Sequence, residues 1–216
     1  GPPRQVVGQW MPIRTDIGIL YAQKSIQGAH TALLGVDNPS PILSEAELEA
    51  DALNCKVLLL PNPYMISDKA FQVMQNFVKH GGTLITEARF GLRDANGFLS
   101  DPPLIEKLIK VRYLYTESLD GKVPLQHPSV LATLWRDVVE CTDGVMAHYA
   151  DGHPAWIEQP VGKGRVIYAT FALFASALLP ENHTLLVWIR KHLPPSPIGI
   201  ETSDQVEVTH SPDGQA

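Results

Sequence analysis

Cysteine is scarce in this chain. Its two cysteines, Cys55 and Cys141, cannot build a disulfide framework, and neither sits at metal-ligand spacing. Both read as free thiols, which behave as small core hydrophobes. Basic runs are missing as well, and the 216 residues carry a net charge of −6. That excludes a nucleic-acid partner, because phosphate contacts need clustered Lys and Arg. Long apolar runs are also absent. The stretch from Val166 to Leu179 is broken and too short to span a bilayer, so no membrane partner is expected. No charged segment followed by an apolar one marks a signal peptide, and Gly1-Pro2 has the form of a protease scar. Among the eight histidines there is no HExxH and no i, i+4 pair, so neither a metal nor another cofactor is expected.

What is present suits a globular core: 44% apolar residues and 19% charged. Residues 1–15 are proline-rich and aperiodic, and read as a linker or edge segment. Asp16 to Ala22 reads as a buried strand, Ser25 to Gly35 as a weak helix, and Pro41 to Leu43 as a brief strand. Ser44 with Glu47 has the form of a capping box opening a helix with Ala46, Leu48 and Ala50. Val57 to Leu60 is an unbroken apolar run, the mark of a strand buried on both faces. Ser67-Asp68 caps a helix whose Phe71, Met74, Phe77 and Val78 share one face, and His80-Gly81-Gly82 ends it. Thr83 to Thr86 is the next strand, followed by a polar loop and a short helix over Leu104 to Ile109.

From Val111 the pattern turns to strands: Val111 to Thr116, Val145 to Ala150, Ala155 to Gln159 and Arg165 to Thr170. Gly162-Lys163-Gly164 joins the last two as a hairpin turn, so it is not a phosphate loop. Glu181 to Leu193 is an amphipathic helix. Gln205 to His210 alternates like a strand with no partner after it, so residues 196–216 are expected to be the start of a following β domain or a tail.

Several of these segments together carry a resemblance. Val57 to Tyr64, the helix ending in His80-Gly81-Gly82-Thr83-Leu84, the loop Ala88 to Gly97, and Gly162 to Tyr168 with the helix to Leu193 resemble the trimerisation domain of family 42 β-galactosidases. The resemblance implies an α/β, flavodoxin-like (class I glutamine amidotransferase-like) three-layer sandwich over residues 16–195, with a mostly parallel sheet and a C-terminal β extension. It also implies a non-catalytic role, self-association as a homotrimer, and catalytic carboxylates on a separate barrel domain. The stretch from Tyr21 to Val57 is short for that family.

Chemistry, if any, belongs where strands end. Glu87 and Asp94 are the one carboxylate pair a retaining glycosidase could use, but Glu87 is expected to pair with Arg89 or Arg93 and Asp94 to cap a turn. Neither cysteine lies in the strand-to-helix elbow that an amidotransferase nucleophile needs, so no catalytic residue is assigned. The alternative role is a carbohydrate-binding or sensing module, with Glu87, Arg89, Asp94 and Asn96 as sugar contacts. Of the aromatics, Trp188 reads as core, whereas Trp10 and Trp135 read as exposed. The loop itself is expected to be ordered. Arg89 and Asp94 would pair with each other or with loop backbone, and Gly91 and Gly97 would take positive φ.

Overall fold

The computed structural model describes residues 17–21, 42–44, 48, 55–126 and 130–194. Its strands are β1 (Ile17–Tyr21), β2 (Ile42–Ser44), β3 (Val57–Leu60), β4 (Thr83–Thr86), β5 (Arg112–Ser118), β6 (Val123–Pro124), β7 (Leu131–Ala132), β8 (Trp135–Glu140), β9 (Val145–His148), β10 (Pro154–Val161) and β11 (Gly164–Ala169). Its helices are α1 (Asp68–Lys79), α2 (Leu104–Leu108), α3 (Leu173–Ala177) and α4 (His183–Lys191).

Seven strands form one sheet in the order β2-β1-β3-β4-β11-β10-β9. β2, β1, β3, β4 and β11 run parallel, while β10 and β9 are antiparallel to their neighbours. β5 pairs with β8, and β6 with β7, in two further antiparallel ladders. This overturns the expected flavodoxin-like, amidotransferase-like sandwich with a mostly parallel sheet. Among the described residues the chain is a β-rich domain on a mixed sheet, and two of its helices are only five residues long. The cause lies in the connections. A parallel neighbour needs a long crossover, but Gly162 and Lys163 join β10 to β11 directly, which forces antiparallel pairing.

The strand alternation is clean. Val57 and Leu59 enter one core with Ile85, Ile167, Trp156, Leu185 and Ile189. Leu58 and Leu60 enter the other with Phe71, Met74, Val78, Leu84, Ile105 and Tyr168. β3 is buried at all four positions, as its continuous apolar run predicts. Ser67 caps α1 by accepting the Ala70 N–H at 3.1 Å, and Gly81 follows the helix with φ 119°. The turn of the β10–β11 hairpin then closes on this helix end: the Lys163 N–H donates to the Lys79 carbonyl at 3.0 Å. That satisfies a carbonyl that the last helical turn cannot pair internally.

Ser44 is the last residue of β2 rather than a helix cap. Leu48 is helical and buried; the rest of that expected helix lies outside the described residues, as do the segments 1–15, Ser25 to Gly35 and 196–216. Trp188 packs edge-to-face on Trp156 with ring centres 5.0 Å apart, as a core residue does.

Candidate functional site

β3, β4 and β11 end on one edge of the sheet, and the segments that follow them meet there. Glu87 leaves β4 and is 3% exposed. One carboxyl oxygen accepts the Asn62 N–H at 2.5 Å, from the turn after β3. The other accepts the Phe174 N–H at 3.0 Å, from the first turn of α3 after β11. One side chain therefore ties together the ends of three strands. Burial pushes its carboxyl up to about 7, against the downward pull of the backbone donors of Phe174 and Asn62.

Two residues on, Arg89 has φ 72°, an unusual backbone angle for a residue with a side chain. Its N–H donates to Asp137 at 2.6 Å. Asp137 lies on β8, is fully buried, and also accepts the Thr116 hydroxyl and the Tyr168 hydroxyl, each at 2.6 Å. Burial raises its carboxyl, and the bonds from Thr116 and Tyr168 oppose the rise. The guanidinium carbon of Arg89 stands 4.0 Å from the Tyr64 ring centre and 4.7 Å from that of Trp135, a cation–π arrangement. Arg93 donates to the Tyr64 hydroxyl at 2.5 Å and to the Gly97 carbonyl at 2.6 Å, and its bond holds the Tyr64 hydroxyl below the usual phenol range.

The loop's order comes from Asp94. One carboxyl oxygen accepts the N–H groups of Asn96 and Phe98 at 2.8 and 2.9 Å. Gly91 and Gly97 have φ 58° and 88°. At Gly91 a side chain would also run into Leu104.

These positions sort the expected site residues. Glu87 is tied to backbone rather than to Arg89 or Arg93. Asp94 is taken up by its own loop and not by Arg89. Arg89 lies against two rings, and Asn96 is exposed. Trp135, expected to be exposed, is half-buried, and its indole N–H is buried with no partner among the described residues. Asp137 and Tyr168 escaped the sequence reading. Among the described residues no group of His, Cys, Asp or Glu could hold a metal ion, and no helix is long and apolar enough to cross a membrane.

A mixed-sheet domain whose buried carboxylates, Glu87 and Asp137, are both engaged internally fits an accessory domain rather than a catalytic one. The chain belongs to the β-galactosidase trimerisation domain family, whose sequence model matches residues 23–183. It is a non-catalytic, self-associating domain of the kind found in family 42 enzymes. Solved structures agree in fold. The β-galactosidase from Bacillus circulans sp. alkalophilus is 18% identical with a TM-score of 0.64, over 82% of this chain and 31% of that one. The polyextremophilic β-galactosidase from Halorubrum lacusprofundi is 17% identical with a TM-score of 0.65, over 82% and 29%. The cold-adapted β-galactosidase from Rahnella sp. R3 is 15% identical with a TM-score of 0.65, over 86% and 32%. This chain thus spans about a third of the length of these three structures. Comparison with curated protein sequences finds no match.

Proposed function

We propose that this chain is the assembly module of a larger glycoside hydrolase acting on β-galactosides, and that it holds its copies together as a homotrimer. The observation that carries the reading is the family match over residues 23–183. The engagement of Glu87 and Asp137 by internal donors supports it, since neither carboxylate is left to meet a substrate. In this reading the domain runs over 16–195, preceded by a linker or edge segment over 1–15 and followed over 196–216 by the start of a β domain or a tail. Catalysis belongs to a separate barrel. Light scattering on the whole protein is expected to give three times the chain mass. A monomer with full galactosidase activity would overturn the reading.

A second reading places a sugar at the 87–97 loop, with Glu87, Arg89, Asp94 and Asn96 around it. The unpartnered Trp135 indole N–H beside Arg89 favours it. Calorimetric titration with galactose at millimolar concentration should then give heat that Arg89→Gln removes. A folded domain giving no heat would end this reading.

A further inference from the structure

We infer that the 88–100 loop is the surface by which one copy of this chain grips the next. Phe98 and Leu99 form the apolar contact, and Arg89 and Arg93 receive the neighbour's carboxylates. The inference rests on the self-assembly reading above and names its contact residues.

Phe98 is 71% exposed and Leu99 73%, and they adjoin at the far end of one loop. Single exposed apolar residues are ordinary, but these two adjoin and are the barest large apolar side chains among the described residues, ahead of the other adjacent pair, Leu114 and Tyr115. The loop that carries them is built to hold still. Asp94 takes the Asn96 and Phe98 N–H groups, and its own N–H donates to the Phe98 carbonyl at 2.9 Å. Arg93 bridges to Met65 on one side and to Leu99 on the other. Ser100 N–H donates to the Leu92 carbonyl at 3.0 Å. A loop ordered before binding loses little further freedom when a partner covers it.

Charge points to the same occupant. Among the described residues no carboxylate touches the guanidinium of Arg89 or Arg93, although Arg89 lies close enough to the buried Glu87 and Asp137 to favour their charged forms, whereas Arg136, Arg112 and Lys122 all have acids in direct contact. Arg89 lies on Tyr64, Arg93 bonds Tyr64, and Arg93 reaches Gly97 next to Phe98, so the cations and the apolar pair form one continuous patch. The chain carries a net charge of −6, so a neighbouring copy offers more acids than bases for the two arginines to meet. Arginine and aromatic residues around an apolar centre are the usual composition of a strong contact. In a closed ring of three this patch meets a different patch of the next copy, so it need not be self-complementary.

The test is light scattering of the whole protein over a concentration series, comparing wild type with Phe98→Ser/Leu99→Ser. Val187→Ser, at another exposed apolar position, on α4 (61% exposed), is the control. The double variant should dissociate with a dissociation constant raised about 100-fold or more, and the control should assemble like wild type. Hydroxyl-radical labelling of wild-type Phe98 and Leu99 should fall as concentration drives assembly, a readout that does not require the variant to fold. A wild-type trimer with an unshifted double variant and unprotected side chains would overturn this inference alone. A wild type that stays monomeric would overturn it together with the trimer reading.

Discussion

Glu87 and Asp94 are both acids of the same loop, and burial gives them different work. The folded pKa of Glu87, about 7, lies above the ordinary 4.5. Between those values the folded chain holds a proton that the unfolded chain has lost. Its contribution is therefore fully present below pH 4.5 and is lost as pH rises through 7, a change of roughly 3 kcal/mol. Asp137, also raised, acts in the same direction. Tm should thus fall between pH 5 and pH 8. Glu87→Gln should flatten that slope while lowering Tm at pH 5, because the amide N–H2 group faces one of two backbone donors; leaving that donor unmet costs roughly 1–3 kcal/mol. A Gln variant with the wild-type slope would show that other groups set it. Asp94 lies nearer solvent and accepts two N–H groups within a turn, so Asp94→Ala should cost about 1 kcal/mol in denaturant unfolding. Sequence reading found both residues from their place at a strand end. It foresaw that Asp94 caps its own turn but missed the partners of Glu87, because backbone N–H donors 25 and 87 positions away leave no trace in a motif.

The elements that could be read in advance were those with an unbroken signal. β3 is a continuous apolar run, and α1 has both a cap and a one-sided face. β8 carries Arg136, Asp137 and Glu140 around only two valines, so no strand period emerges; pairing with β5 makes it a strand, and hydroxyl donors make its buried Asp137 tolerable. α3 is one apolar turn, and periodicity cannot tell so short a run from a strand. The hairpin turn was legible from its glycines, but its docking on α1 was not. At Gly164 a side chain would overlap the carbonyl oxygens of Gly82 and Val78, both backbone atoms that cannot rotate away. Gly164→Ala should therefore cost roughly 1–3 kcal/mol by thermal melting, the usual penalty of overpacking. Gly121→Ala, where nothing lies within 4 Å, isolates the strain of its φ of 76° as a comparison.

At the scale of the molecule, the family was legible while the architecture was not, because the resemblance rested on β3, α1, β4, the 88–97 loop, β11 and α4 and was silent on the antiparallel strands β10 and β9. The two cores are fed by alternate residues of the same strands, so neither face can come apart while the other stays. Trp156 and Trp188 belong to one face only. Their fluorescence should nevertheless change at the same midpoint as the far-ultraviolet dichroism of the whole chain, and separated midpoints would show that the faces melt independently. The last strand of the sheet on this side, β9, is four residues long and pairs with β10 through two register shifts. A straight, long rim would offer every newcomer a place to add its own strand, and a chain that already clings to its copies would then grow without end. A short, crooked rim gives a poor template for such addition. That leaves side-chain contacts to decide how many copies gather, and contacts of that kind can close.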